Sequence, residues 1–395
     1  MPITNPFRDG ADASSSILGR TDERRRAALA LSDPAAKLLI LATRRTGKTT
    51  LVRAAAADAR EAGTPVVVAD LAGISSVADV ASRLLRAAAV DLSPAWPDAT
   101  SEIVKRIGIR ITLETDASGN ILPCLDAALR RASLDDQHVL LRRALDTLDE
   151  LARSREARLG VALDEIQELF RLGGSSADWA LASAARQHAN LGYLLTSTDH
   201  TSPRPATADR SPLSLFEPLH LKPPAANDLA AWIDDQFRLT GVKPQGTGTA
   251  IATIGGTKVA NVAQLAAYCF DGVRSSGFAR DEDVRSAFAA AVADCADITR
   301  SVWESLTIHQ QNVLRALSLR SSGLTTTATR ERFSLGDTGT THNSAQLLVR
   351  KGILERIDGG YVFESPFVRG WVIAHALPDV GITVPITHVP LAREH

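Results

Sequence analysis

A short loop between an apolar run and a helix-like segment constrains this chain more than any other feature. Residues 42–50 read ATRRTGKTT, follow the run KLLIL at 37–41, and precede a helix-like segment that begins at Leu51. Strand, tight loop and helix form the context of a phosphate-binding loop, because loop N–H groups and the positive end of the helix converge on phosphate oxygens. The alternative is a chance loop before a surface helix, which these flanks disfavour. The pattern predicts a nucleoside triphosphate site.

The residues of this loop have distinct expected roles. Lys48 is expected to place its ammonium on the β- and γ-phosphates, and the Thr49 hydroxyl is expected on Mg²⁺. The first glycine of the usual pattern is Ala42 here, which leaves Gly47 as the residue that most easily adopts unusual backbone angles. The loop residues expected to contact the nucleotide are Arg45, Thr46, Gly47, Lys48, Thr49 and Thr50.

Length, charge and cysteine content limit the class of protein. The 395 residues, 45% of them hydrophobic, predict two or three domains with sizeable cores. The formal net charge of -1 means that nucleic-acid binding needs a local basic patch. Three widely spaced cysteines (Cys124, Cys269 and Cys295) predict neither a disulfide framework nor a metal cluster. The chain shows no signal peptide and no apolar run near the ~20 residues of a membrane span, which predicts a cytoplasmic protein without a membrane partner.

Apolar runs alternate with helix-like segments after the loop. The runs lie at 65–70, 159–163, 191–195 and 219–221, and leucines at helical spacing predict a long helix at about 135–155. Alternating strands and helices predict an α/β fold in which a parallel sheet has helices on both faces. Residues 91–120 break this pattern, and the alternation at 107–113 is typical of a strand, so we interpret this stretch as an inserted hairpin.

Two adjacent carboxylates, Asp164 and Glu165, follow the apolar run at 159–163. Ligands of open α/β sheets bind at the carboxyl ends of the strands. We expect Asp164 to hold Mg²⁺ and Glu165 to orient and deprotonate the attacking water. The alternative is a solvated strand end or a helix cap, but a phosphate loop on an earlier strand favours the catalytic interpretation.

Two further residues are candidates for catalysis. Ser197, at the end of the next apolar run, can bring a hydroxyl to the γ-phosphate or to the attacking water, or it can instead bond to its own backbone in a turn. Arg186, at the end of the preceding helix, can stabilise transition-state charge at the nucleotide of a neighbouring copy. Simple solvation of this arginine is the alternative.

Taken in chain order, the motifs resemble a known group of proteins. They are Gly19-Arg20 with Glu23, RRTGKT at 44–49, LDEIQEL at 163–169 and Thr196-Ser197. Together they are similar to the archaeal-type ATPases of the STAND group, relatives of the AAA+ replication initiators of the origin-recognition type. The resemblance implies a P-loop NTPase fold of the ASCE/AAA+ type, with a parallel sheet of order 5-1-4-3-2 followed by a helical lid and a winged helix-turn-helix domain.

The same resemblance implies ATP and Mg²⁺ as cofactors and assembly of several copies of the chain. It implies that Arg20, within the segment 17–20, lies near the adenine. The group often has Gly-Gly-x-Pro at the start of a lid helix, whereas this chain has GGTK at 255–258, so Lys258 is the expected basic residue of the lid. The expected domains are a flexible N-terminus at 1–15, an ATPase core at 16–222 with the insertion at about 91–120, a helical lid at 223–300, a winged helix at 301–378 and a tail at 379–395.

The predicted winged helix comprises helices beginning at about 303, at 326–333 and at 338–351, then a hairpin formed by 352–356 and 361–363. In such a module the third helix can enter the major groove of DNA. Its expected exposed residues are Thr340, Thr341, His342 and Asn343, with Arg350 and Lys351 beside them. They form no basic stripe, and phosphate contacts need cations, so a protein-docking role remains the alternative.

Two functional classes therefore compete. In the first, Mg²⁺-dependent ATP binding and hydrolysis drive a switch that acts on an unidentified protein partner. In the second, the chain is a DNA-associated AAA+ ATPase, similar to initiators and loaders, that binds duplex DNA through the winged helix. A small-molecule kinase is disfavoured, because a neighbouring Asp-Glu pair suits water activation and a winged helix has no evident use there.

Overall fold

The computed structural model describes residues 4–8, 20–107, 111–115, 121–125, 132–198, 212–319, 323–357 and 359–386. These residues belong to two compact units. The first unit lies within 12–222, and the second combines the residues up to 11 with those from 223 onward. Among the described residues, none of the helices is both long enough and apolar enough to span a lipid bilayer.

The first unit alternates helices and strands. Its elements are α1 (Thr21–Ser32), β1 (Leu38–Ala42), α2 (Lys48–Glu61), β2 (Val66–Asp70), α3 (Val77–Asp91), α4 (Ala99–Ile107), β3 (Ile111–Thr115), β4 (Ile121–Leu125), α5 (Leu134–Ser154), β5 (Leu159–Asp164), α6 (Gln167–Gln187), β6 (Leu191–Thr198) and β7 (Glu217–His220).

A five-stranded sheet, in the spatial order β2-β5-β6-β1-β7, forms the centre of this unit. All neighbouring strands pair in parallel. The strands β1, β5 and β6 are buried along their whole length because helices cover both faces of the sheet, which explains why they read as continuous apolar runs. If only the strands of this sheet are numbered in chain order, β1, β2, β5, β6 and β7 become strands 1 to 5. Their spatial order, starting from the edge strand β7, is then 5-1-4-3-2. Register pairs Ala42 with Thr198 and Asp70 with Asp164, so the carboxyl ends of four strands meet at one edge.

Two glycines allow α1 to lie close to this sheet. A Cβ atom at Gly160 would lie 2.9 Å from the carbonyl oxygen of Leu31, and one at Gly192 would approach the same oxygen even more closely. Any larger residue at Gly192 would therefore push the end of α1 away from β5 and β6.

The insertion differs in part from the prediction. A two-stranded antiparallel hairpin of β3 and β4 is present, but the residues before it form a helix. Ala99, Ile103 and Ile107 are buried along one face of α4, at the spacing of a helix. The expected strand at 107–113 is therefore wrong at its start, because Ile107 completes this helical stripe.

The second unit is mainly helical. Its elements are α7 (Ala226–Leu239), β8 (Lys243–Gln245), α8 (Thr247–Gly255), α9 (Val259–Val273), β9 (Phe278–Arg280), α10 (Asp281–Asp294), α11 (Ala296–Glu304), α12 (Ile308–Leu319), α13 (Thr327–Arg332), α14 (Thr338–Arg350), β10 (Leu354–Ile357), β11 (Gly360–Phe363) and α15 (Pro366–Trp371).

Residues 4–8 pack against the helices of this second unit. The Asn5 side chain donates a hydrogen bond to the carbonyl oxygen of Ala267 at 2.9 Å. The Phe7 ring centroid lies 5.6 Å from that of Trp232 and 5.3 Å from that of Phe237. Within the expected flexible N-terminus at 1–15, residues 4–8 are therefore packed through an apolar ring and a buried amide. Residues 1–3 and 9–15 lie outside the described part of the chain.

The helices α12, α13 and α14 precede an antiparallel hairpin of β10 and β11. Val313 and Leu317 of α12, Leu348 of α14 and Leu354 of β10 belong to one buried cluster, which joins the helices to the hairpin. The sequence predicts an exposed Thr341, but this residue is buried, because it lies on the same face of α14 as the buried Ala345 and Leu348. Its hydroxyl donates a hydrogen bond to the carbonyl oxygen of Asp337.

Candidate nucleotide-binding site

The loop between β1 and α2 has the backbone of a tight phosphate-binding turn. Gly47 precedes the first residue of α2 and has a φ of 91°, which glycine adopts without strain. Arg45 is also left-handed, with a φ of 63°, a conformation that costs a residue with a Cβ about 1 kcal/mol or more. The hydroxyl of Thr46 donates to the carbonyl oxygen of Thr43 at 2.8 Å and closes the turn. The first turn of α2 therefore points its N–H groups at the loop.

Lys48 is almost completely buried, with 4% of its surface exposed. Its Nζ donates to the carbonyl oxygens of Ala42 at 3.2 Å and Thr43 at 3.3 Å, and to the Thr198 hydroxyl at 3.3 Å. The same Nζ lies 3.6 Å from Oε1 of Glu165. The lysine of the loop thus reaches the ends of both β5 and β6.

The two residues expected to hold a metal ion are in direct contact. The Thr49 hydroxyl donates to Oδ2 of Asp164 at 2.6 Å, and the Thr196 hydroxyl donates to Oδ1 of the same carboxylate. Asp164 is 2% exposed. Hard oxygen donors of this kind suit Mg²⁺, which keeps several waters and is usually held by one or two protein oxygens together with phosphate. Within the described ranges, no group of three or more His, Cys, Asp or Glu side chains could hold a metal alone.

Glu165 has an unusual conformation that its neighbours hold in place. Its φ is 58°, and its backbone N–H donates to the Thr196 hydroxyl at 3.1 Å. Its Oε2 accepts hydrogen bonds from the Thr198 hydroxyl at 3.2 Å and from the side-chain amide of Gln167. Strained backbone that surrounding groups over-determine is typical of functional sites. The carboxylate is fixed in the same cluster as Lys48.

At the end of β6, Thr198 rather than Ser197 contacts the predicted catalytic residues. The Ser197 hydroxyl is buried and has no hydrogen-bond partner among the described residues. Side chains alternate between the faces of a strand, so Thr196 and Thr198 lie on one face and Ser197 lies on the other. This period of two is the sequence signal that points to Thr198. Gln167 was also missed, and the motif offers no local signal for its role.

The remaining candidates lie apart from this cluster or outside the described residues. Arg20 is buried at the start of α1, where one Nη donates to the carbonyl oxygen of Lys222 at 3.2 Å. Its other Nη is buried without a partner in the described part of the chain, and burial lowers the pKa of the guanidinium. Residues 17–19 of the expected adenine segment are not described. Thr50 is exposed on α2, and Arg186 is exposed in the last turn of α6.

Lys258 lies in the second unit, where it precedes α9. Its Nζ lies 2.7 Å from Oε2 of Glu355 and forms a second ion pair with Glu364. All three side chains are largely buried. The ammonium therefore has two carboxylate partners supplied by the hairpin and the residue that follows it.

Comparison with solved structures shows which fold this is. The Walker-type ATPase of Pyrococcus abyssi has a TM-score of 0.57 and 16% identity, over 90% of this chain and 96% of that one. The ORC2 protein of Aeropyrum pernix, solved as ADPNP-ADP complexes, has a TM-score of 0.57 and 15% identity, over 96% and 99%. The ORC1 protein of Aeropyrum pernix, solved in complex with DNA, has a TM-score of 0.52 and 17% identity, over 95% and 97%.

No protein-family model matches the sequence, and no curated protein matches it. At these identities the structural likeness establishes the fold. The chain has the α/β P-loop ATPase fold, with a parallel sheet and many helices, that these archaeal proteins share. The resemblance to origin-recognition-type ATPases is thus confirmed at the level of the fold.

Proposed function

We propose that this protein is a Mg²⁺-dependent ATPase that acts in association with duplex DNA. The observation that carries the ATPase assignment is the convergence of Lys48, Thr49, Asp164 and Glu165 at one edge of the sheet. The hydroxyl of Thr49 lies 2.6 Å from the carboxylate of Asp164, and Nζ of Lys48 lies 3.6 Å from that of Glu165. Four residues from two distant motifs thereby meet where an open α/β sheet binds its ligand.

Each residue of this cluster has a chemical role in the proposal. The N–H groups of residues 45–50 and the ammonium of Lys48 bind the phosphates. Thr49 and Asp164 hold Mg²⁺, which neutralises the negative charge of the β- and γ-phosphates when it is bound. Oε1 of Glu165 accepts a proton from the attacking water. The Thr198 hydroxyl contacts both Lys48 and Glu165, so it takes the role that the sequence predicts for Ser197.

Residues outside the cluster extend this proposal. Arg20 contributes to the adenine pocket, since its second Nη is buried and unpaired among the described residues. Arg186 is exposed at the end of α6, as an arginine must be if it stabilises transition-state charge at the nucleotide of a second copy. This role requires that several copies of the chain assemble.

The second unit supports the association with DNA. We assign α12, α13, α14 and the hairpin of β10 and β11 as a winged helix, whose third helix suits the major groove. His342, Asn343 and Arg350 are exposed on α14, and Lys351 and Arg356 are exposed beside it. One of the proteins with the same fold was solved in complex with DNA. These observations favour a DNA-associated ATPase over a STAND-type switch.

One observation favours the second candidate, a nucleotide-driven switch that acts on a protein partner. Asp337 caps the start of α14, where its carboxylate accepts a hydrogen bond from the backbone N–H of Thr340 at 2.8 Å. This backbone bond and one from the Thr340 hydroxyl lower the pKa of Asp337. An ionised carboxylate at this end of the helix repels DNA phosphate. A winged helix with such an end is suited to docking a protein.

Hydrolysis of ATP with and without duplex DNA, together with the salt dependence of DNA binding, distinguishes these functions. A DNA-associated ATPase loses DNA affinity steeply between about 50 and 200 mM salt, because each phosphate contact releases a counterion. Arg350→Ala and Arg356→Ala should each reduce that slope by about 1. Turnover that ignores DNA, with binding that ignores both substitutions, would instead assign the winged helix to a protein partner.

A further inference from the structure

We propose that Gln167 is a positioning residue that fixes the carboxylate of Glu165 for proton transfer. This inference rests on the proposed ATPase activity, in which Glu165 receives the proton of the attacking water. Gln167 is the first residue of α6 and is only 5% exposed, although glutamine is a polar and flexible residue. A buried glutamine at the first turn of a helix needs partners for both ends of its amide.

Both ends of the Gln167 amide have partners in the catalytic cluster. Its Nε2 donates to Oε2 of Glu165, and its Oε1 accepts from the backbone N–H of Thr198 at 3.2 Å. The two partners define the orientation of the amide, because the carboxylate can only accept and the N–H can only donate. Gln167 therefore connects the carboxylate directly to the backbone at the end of β6.

These hydrogen bonds distinguish the two oxygens of the Glu165 carboxylate. Oε2 already accepts from Gln167 and from the Thr198 hydroxyl, whereas Oε1 lies 3.6 Å from Nζ of Lys48. Gln167 thus turns Oε1 towards the side on which Lys48 would bind phosphate. In the proposed step, Oε1 takes a proton from water, the water oxygen bonds to the γ-phosphorus, and the bond from that phosphorus to the β–γ bridging oxygen breaks with its electron pair on ADP.

The backbone conformation of Glu165 explains why its carboxylate needs the hydrogen bonds from Gln167 and Thr198. Its φ of 58° is unfavourable for glutamate, so a carboxylate without support would have access to other backbone and side-chain conformations. The Thr196 hydroxyl holds the backbone N–H, while Gln167 and Thr198 hold the carboxylate. A displacement of about 1 Å at a catalytic group can lower the rate about 100-fold. Loss of these hydrogen bonds to the carboxylate should therefore affect turnover more than ATP binding.

Two substitutions of Gln167 and a control on the same helix test this role, and the Glu165→Gln background completes the comparison. Gln167→Ala removes both hydrogen bonds of the amide. Gln167→Glu keeps the length of the side chain but places a second carboxylate against Glu165. Arg171→Ala is the control on the same helix, because Arg171 pairs with Glu168 at the surface. The measurements are kcat and KM for ATP, the affinity for a fluorescent ATP analogue, and Tm.

We expect Gln167→Ala to lower kcat about 10- to 100-fold while the nucleotide affinity stays within about threefold of the parent value. Gln167→Glu should lower kcat by at least the same factor, because the carboxylate introduced at position 167 repels that of Glu165. In the Glu165→Gln background, Gln167→Ala should change the residual rate less than about twofold, since no base remains to be positioned. If Gln167 had a purely structural role, Gln167→Ala would lower kcat by a similar factor in the parent and in the Glu165→Gln background.

Several results would overturn the role of Gln167. One is a kcat of Gln167→Ala within about twofold of the parent value, and another is a loss of kcat in Gln167→Ala that is accompanied by an equal loss of ATP affinity and a lower Tm. The third is that Gln167→Ala lowers the residual kcat of Glu165→Gln by the same factor as it lowers the kcat of the parent. Failure of the proposed function is recognised separately. In that case the parent chain does not hydrolyse ATP, or Lys48→Ala hydrolyses it as fast as the parent, whatever residue stands at position 167.

Discussion

The hydroxyl of Thr49 donates a hydrogen bond to Oδ2 of Asp164 at 2.6 Å, so the first turn of α2 touches the end of β5. The two residues are separated by more than a hundred positions in the chain, and each belongs to a different motif. The second oxygen of Asp164 accepts from the Thr196 hydroxyl. The carboxylate is therefore held from both sides, which prepares it to contact a cation or its water.

Substitution of Thr49 should change the dependence of hydrolysis on Mg²⁺. Thr49→Ala removes the hydroxyl and should raise the Mg²⁺ concentration for half-maximal hydrolysis about tenfold or more. Thr49→Ser keeps the hydroxyl and should stay within about threefold of the parent. A Mg²⁺ titration of ATP hydrolysis in both variants checks this prediction. Equal Mg²⁺ dependence in Thr49→Ala and the parent would remove Thr49 from the metal site.

Substitutions at the end of β6 should separate Thr198 from Ser197. Thr198→Val keeps the shape but removes the hydroxyl that contacts Lys48 and Glu165, so kcat should fall about 10-fold or more. Ser197→Ala removes a buried hydroxyl that has no partner within the described ranges, so it should leave kcat within about twofold. Steady-state hydrolysis measures both. The opposite ranking would return the role to Ser197.

The contrast between these two residues shows how far sequence patterns reach. The placement of Lys48, Asp164 and Glu165 at one edge of the sheet is predictable, because each lies in a short motif whose context, a strand and a turn, is itself local. The choice of Thr198 follows from strand periodicity once Thr196 is known to face Asp164. Gln167 was not predictable, because its contacts depend on the left-handed backbone of Glu165, which no propensity of glutamate indicates.

Loss of the Phe7 ring should destabilise the second unit. Phe7 is half-buried against Trp232, Phe237 and Phe270, so Phe7→Ala should lower the free energy of unfolding by about 2 kcal/mol. Arg8→Ala is the matched control, because its ion pair with Asp271 is exposed and should contribute less than about 0.5 kcal/mol. Denaturant unfolding followed by tryptophan fluorescence measures the difference. Equal stability of Phe7→Ala and the control would mean that the Phe7 ring does not pack against these aromatic residues in solution.

Removal of the Lys258 ammonium should lower the free energy of unfolding more than Phe7→Ala does. Lys258→Ala leaves the buried carboxylates of Glu355 and Glu364 without their cation, which should cost about 3 kcal/mol or more. A second substitution, Glu364→Gln, should recover part of that loss because it removes one unpaired charge. Thermal and denaturant unfolding of the single and double variants measure both effects. Unchanged stability together with weakened ATP binding would instead support the nucleotide contact expected from the sequence.

Phe7 and Lys258 illustrate what the sequence did not reveal. Lys258 pairs with Glu364 across 106 positions, and Asn5 bonds to Ala267 across 262. A local pattern cannot choose among so many distant partners. It indicates only that a basic residue lies at the start of a helix and predicts a flexible N-terminus. The helix α4 is not predicted for a different reason: its apolar spacing is that of a helix, but the breaks around it favour an inserted hairpin.

The central prediction is ATP hydrolysis at the edge of the sheet where Lys48 and Glu165 meet. ATP binding and turnover are compared in the parent chain, Lys48→Ala and Glu165→Gln. We predict that Lys48→Ala loses nucleotide binding. Glu165→Gln should still bind ATP, but its kcat should fall at least about 100-fold. Hydrolysis by Glu165→Gln at the parent rate, or unchanged nucleotide binding by Lys48→Ala, would show that this cluster is not the ATPase site.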